Sequence, residues 1–330
     1  MTSISVELEP PRGIYDVNQE RLASIEGELD EYSNKVDLVS ITNRPVFGLS
    51  AITMAKRVQN YLRKISDNSP RVSVHLTTRL SHFDLFRSVL DAHRMGLTDI
   101  LPLLGDPRGP SDKNYFENGF DILGFISYLR WGKKQFLSNK YLALLDRGQL
   151  VRPIPDATFS IGSVVDVNPY KIRKNISKFT IGDKQVRFAR LKESNGAEYL
   201  ISQGLYESKY YFDFIDNCDL SIPVIQGIIP ARLRLINQFG IPIHPLKKSR
   251  LRSAFTTREE HEIGNKIAAD VYQELIDGGC KQVHIYSLGN FNNFREITDF
   301  SSSNGKLKKV KGNNVDSNSE KLLNKKNNGE

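Results

Sequence analysis

Long hydrophobic runs are missing from this chain. No stretch of its 330 residues approaches the roughly 18 uninterrupted apolar residues that a bilayer crossing needs, so a membrane span is not expected. Cysteine is scarce. Cys218 and Cys280 stand far apart and form no Cys-x-x-Cys pair, which argues against a disulfide scaffold or a structural zinc and for a reducing, cytoplasmic compartment. The first residues hold no basic stretch followed by an apolar one, so no secretory signal is expected. Neither G-x-G-x-x-G nor a P-loop occurs, which leaves a Rossmann or nucleotide-hydrolase site without support. His261-Glu262 starts like a zinc-protease motif, but the second histidine that motif requires is Asn265.

What is present is an ordinary globular composition, 39% hydrophobic and 25% charged, compatible with one large core. The net charge of +8 is unevenly spread. Residues 301–330 carry seven lysines against three acidic residues among serines, asparagines and glycines. Such a segment cannot bury a core, which predicts a barrel-sized domain over 1–300 followed by a disordered polar tail over 301–330. The tail lacks the interleaved aromatics of single-strand binders, so it reads as solubilising rather than as a nucleic-acid contact.

Eight strand-like runs rich in Val, Ile and Leu fall at about 4–9, 36–42, 71–76, 99–105, 158–165, 198–203, 222–228 and 282–288. Helical patterns separate them. Ser81 to Asp84 reads as a capping box opening a helix with Phe83, Phe86, Val89, Leu90 and His93 in register and Gly96 as its stop. Thr257 to Glu260 reads as a second box, opening a helix with the stripe Ile263, Ile267, Val271 and Leu275. Strand and helix alternating eight times predict a (β/α)8 TIM barrel rather than an open doubly wound sheet. The long connection 107–157, with helical stretches near 120–131 and 140–146, is of the kind that forms lids or subunit contacts, which leaves a homo-oligomer open. The basic cluster Lys247, Lys248, Arg250 and Arg252 reads as a solvated face.

Four strands end at compact polar clusters: Glu7 to Gly13, His75 to Thr78, Gly105-Asp106-Pro107, and Ser202-Gln203-Gly204. In a parallel barrel these ends share one face, so groups nearly 200 residues apart converge. Here the chain resembles the methylenetetrahydrofolate reductases, and most closely the reductase half of bifunctional homocysteine methyltransferase/methylenetetrahydrofolate reductases. The resemblance rests on Glu7-x-x-Pro10-Pro11-Arg12-Gly13, His75-x-Thr77-x-Arg79, Gly105-Asp106-Pro107, Lys192-x3-Gly196-Ala197 leading into Ser202-Gln203, and Pro223-x3-Gly227-Ile228-x-Pro230.

The resemblance implies a barrel that holds FAD, takes hydride from NADH or NADPH and passes it to methylenetetrahydrofolate or a related pterin. Glu7 matches the family's acid, which protonates the departing nitrogen as the substrate ring opens. Asp106 matches the carboxylate facing pterin and flavin, and Gln203 the amide that reads the pterin edge. Thr42, His75 and Thr77 match flavin-lining positions, Lys192 a cation near the flavin phosphates, and Asn168 falls in the flavin-holding stretch after the fifth strand. Some positions depart from the pattern: Leu104 replaces an Arg or Thr, Leu80 follows Arg79 where Asp is usual, Val164 and Asn168 fall where Tyr and His hold flavin, and Asn290 replaces an Arg. Two other readings stay open, a flavin-independent pterin barrel acting in one-carbon transfer and a non-enzymatic binding protein using the basic tail.

Overall fold

The computed structural model describes residues 2–10, 15–42, 50–66, 68–77, 80–104, 116, 118–168 and 183–299, with backbone alone for 15–22 and 183. Asp106, Arg79, the Pro11-Arg12-Gly13 segment and the tail 301–330 lie outside these residues. The strands are β1 (Ser3–Leu8), β2 (Leu38–Ile41), β3 (Arg71–Thr77), β4 (Asp99–Leu103), β5 (Ser160–Val165), β6 (Tyr199–Ser202), β7 (Val224–Ile228) and β8 (Gln282–Ile285). Each pairs in parallel with its sequence neighbours, and β8 returns to β1, closing the barrel. Between them run α1 (Tyr15–Tyr32), α2 (Ala51–Ile65), α3 (His82–Arg94), α4 (Gly119–Trp131), α5 (Asn139–Asp146), α6 (Asp183–Ser194), α7 (Lys209–Asn217), α8 (Leu233–Phe239), α9 (Pro245–Arg252) and α10 (Thr257–Asp277). No helix among the described residues is long and apolar enough to cross a membrane.

Strand alternation sorts the side chains. In β1, Val6 and Leu8 join the large core between barrel and helices, while Ser5 and Glu7 face inward. A separate apolar layer fills the barrel with Leu38, Leu101, Tyr199, Ile201 and Ile225. At the N-terminal floor Asp99, fully buried, lies 3.1 Å from an Arg71 guanidinium nitrogen, and Arg71 also covers the Tyr199 ring. Burial pushes the Asp99 carboxyl up and Arg71 opposes it. This end serves stability.

The structure moves some expected boundaries. β4 stops at Leu103 and β8 at Ile285. The second capping box is one residue early: Thr256, with extended backbone, accepts from Glu259 N while the Glu259 carboxylate answers the Thr256 N–H. Thr257 is already helical and cannot cap. On α3 the buried face is Leu85, Val89 and Ala92; of the expected stripe Val89 is buried and Phe86 and Leu90 pack at the edge of the core, while Phe83 is exposed. Gly96 ends that helix as expected, at a φ of 68° that suits glycine.

Candidate active site

The C-terminal mouth gathers Glu7, Thr42, Thr77 and Gln203 on the ends of β1, β2, β3 and β6, while His75 lies inside the barrel, two residues before the end of β3. Glu7 is partly buried at the end of β1. Withdrawal from water pushes its carboxyl up to about 8, and the neighbouring Glu9 carboxylate adds to the rise. The strand is held from the segment just after β8, where Ser287 Oγ donates to the Glu7 carbonyl at 2.6 Å. Beside it a cavity of about 210 Å³ is lined by Leu8, Glu9, Glu28, Ser287, Asn290 and Phe291, among others.

Beneath the mouth lie two buried serine–histidine pairs. Ser5 Oγ is 2.7 Å from His284 Nδ1, and Ser40 Oγ is 2.6 Å from His75 Nε2. Burial lowers His75 to about 4; it also lowers His284, to about 3, with His75 contributing. Both imidazoles are therefore neutral at neutral pH, and Glu7 stands above an uncharged polar layer.

Tyr286 continues this wall. Its ring meets His284 edge-on at 4.6 Å, and its hydroxyl donates to the Ser202 carbonyl at 2.9 Å. Burial raises its pKa, and the charges of Glu7 and Asp166 add to this, so the phenol stays protonated and acts as a donor. Gly227 on β7 completes the packing: a side chain there would run into the Ser202 carbonyl and come within 2.8 Å of the Tyr286 ring. Gln203 is exposed at the mouth, its N–H bonded to the Val165 carbonyl at 2.8 Å.

Asn168 and Lys192 sit together after β5. Asn168 is buried, and its amide donates to Asp166 Oδ1 and to the Gly204 carbonyl, while its own Oδ1 has no hydrogen-bond partner. Lys192, on α6, sends its amine to the Val164 carbonyl at the end of β5. Burial lowers that amine to about 8, opposed by Asp166. No cluster of metal-ligating side chains occurs among the described residues.

Reading strand ends alone missed Ser5, Ser40, Asp166, His284 and Tyr286. The signal was in the alternation Gln282-Val283-His284-Ile285-Tyr286, whose polar and aromatic positions all fall on one side of the strand.

Residues 159–302, from the start of β5 past the end of β8, match the family model described as methylenetetrahydrofolate reductase. The chain is related to the methylenetetrahydrofolate reductases. It is 22% identical over 272 residues to "Methylenetetrahydrofolate reductase 1" of Schizosaccharomyces pombe, a match covering 77% of this chain and 40% of that protein. The chain thus spans about 40% of the length of that curated methylenetetrahydrofolate reductase. Its fold is shared with a solved structure from Clostridium thermocellum, at a TM-score of 0.58 and 13% identity over 91% of this chain and 94% of that one. That protein binds two copies of 5-methyl-5,6,7,8-tetrahydrofolic acid.

Proposed function

We propose that this chain reduces 5,10-methylenetetrahydrofolate, or a related pterin, to the 5-methyl form, in one-carbon metabolism that supplies methyl groups for methionine. The observation that carries the reading is the Glu7 carboxyl, held up to about 8 at the mouth of the barrel. A group of that strength keeps its proton at neutral pH and gives it to a departing amine nitrogen, which opens the substrate ring to an iminium. Asp106 supplies the opposite service, a fixed negative charge that steadies the cationic iminium and accepts from pterin N–H donors. Gln203, exposed at the same mouth, reads the pterin edge.

FAD, when bound, supplies hydride chemistry, with NADH or NADPH as its source of electrons. The residues present fit such a group. Thr42 and Thr77 place hydroxyls on neighbouring strands, His75 adds a neutral imidazole, and Asn168 keeps a buried carbonyl oxygen open for a donor. Lys192 joins them as the local cation, its amine at the end of β5. These side chains orient the ring system and exclude water from it, while Glu7 holds the proton.

The absorption spectrum of freshly purified protein is the direct test. Bound flavin bands, released as FAD, are expected. Protein that is colourless and cannot be reconstituted with FAD or FMN overturns the flavin reading and leaves a pterin barrel that works without it.

A further inference from the structure

Tyr286 and Ser287 follow directly on β8 and reach toward opposite neighbours. Ser287 Oγ donates to the Glu7 carbonyl near the end of β1, at 2.6 Å. The Tyr286 hydroxyl donates to the Ser202 carbonyl at the end of β6, at 2.9 Å. To get there the ring has to pass over β7. It does so at Gly227, where a Cβ would come within 2.8 Å of the ring. His284 meets that ring edge-on at 4.6 Å, and the Tyr286 N–H is bonded to the Ile228 carbonyl at 2.9 Å, so the phenol starts from a fixed base.

Ser202 passes the constraint on to Gln203. Its Oγ accepts from the Gly227 N–H at 2.8 Å and donates to the Gln203 carbonyl at 3.0 Å, while the Gln203 N–H is held by the Val165 carbonyl at 2.8 Å. Gln203 is exposed at the mouth, yet the backbone from which its amide projects is tied on both sides. One dipeptide thus links the backbone of Glu7 to that of Gln203, from strands that are not neighbours in the barrel. Filling the space over Gly227 needs only an aromatic ring. The phenol oxygen adds a directed bond to one particular carbonyl.

We propose that Tyr286 is a positioning residue: with Ser287 it fixes the spacing between Glu7 and Gln203, so that a pterin seated on the amide presents its nitrogen to the acid. The proposal rests on the pterin-reduction reading above. Spacing matters because a misplacement of about 1 Å can cost ~10²-fold in rate. Tyr286→Phe keeps the ring and removes the bond. The variant should bind 5-methyltetrahydrofolate about threefold to tenfold more weakly in calorimetry, the scale of one hydrogen bond. Dependence on Gln203 separates positioning from packing. In a Gln203→Ala background Tyr286→Phe should cause no further loss, because the amide it positions is gone, whereas a general packing defect would add its own loss. Ser287→Ala releases the other arm and should slow reduction of the methylene substrate while changing 5-methyltetrahydrofolate affinity less. Wild-type affinity in Tyr286→Phe, additive losses in the double variant, or wild-type turnover in Ser287→Ala overturns the proposal and leaves the pterin reading standing. A wild-type chain that does not bind 5-methyltetrahydrofolate removes both.

Discussion

Ser5 and His284 are 279 positions apart, yet Ser5 Oγ lies 2.7 Å from His284 Nδ1 across the seam where β8 closes onto β1. This contact ties barrel closure to the polar layer under Glu7. Ser5→Ala removes the partner of a buried ring nitrogen and should cost about 1–3 kcal/mol. Urea denaturation of the variant measures this; an unchanged midpoint would show that water replaces the hydroxyl.

The two buried histidines set the acid limb of stability. Their folded pKa values, about 4 for His75 and about 3 for His284, lie below the ordinary 6.5. Between those values the unfolded chain takes up protons that the folded one refuses, so stability falls as pH drops from 6.5 toward 4. Melting temperatures from pH 7 to 4.5 should decline, and His75→Gln should flatten the slope. A slope identical in the variant would mean that His75 is charged in the folded protein.

Glu7 behaves in the opposite sense. Its folded pKa of about 8 lies above the ordinary 4.5, so the folded state keeps a proton that the unfolded state releases, and stability is lost as pH rises from 4.5 through 8. Glu7→Gln should therefore gain stability over wild type with rising pH. In rapid-mixing experiments it should still accept electrons from a nicotinamide, while reduction of the methylene substrate slows by ~10²–10⁴. Substrate reduction at the wild-type rate would place the acid elsewhere.

Asp106→Asn should act differently. On the proposed function it should weaken pterin binding and make a bound flavin easier to reduce, because removing a carboxylate near a reduced, anionic ring system relieves the repulsion between them. Titration with the pterin and a measured midpoint potential distinguish this from the Glu7 phenotype; an unaltered potential would remove Asp106 from the flavin's neighbourhood.

Gly227→Ala tests the packing at the mouth. The added methyl meets the Ser202 carbonyl and the Tyr286 ring, and overpacking of this kind costs about 1–3 kcal/mol. Loss of substrate reduction is expected beside lowered stability, since Tyr286 shares the wall with Glu7. A variant as stable as wild type would show that the Ser202 carbonyl and the Tyr286 ring give way to the methyl freely.

Much of the fold was legible because local rules act locally. Apolar strands bounded by polar clusters, Ser81 before α3 and Gly96 after it, and the stripe on α10 each follow from backbone and burial preferences over a few residues. That Glu7 and Gln203 end strands on one face was legible too, since parallel strands must end together, whereas His75 lies beneath that face against Ser40. The helices α8 and α9 were not expected, because their basic, weakly periodic sequence takes shape only against Tyr206 and Ile267. The sequence by itself therefore determined the barrel and the strand ends that line its mouth. Only the tertiary structure decided that His284 and His75 stand neutral beneath Glu7, and that Glu7 keeps a proton near neutral pH. Those properties come from desolvation and from neighbours brought together by barrel closure, and no spacing along the chain encodes them.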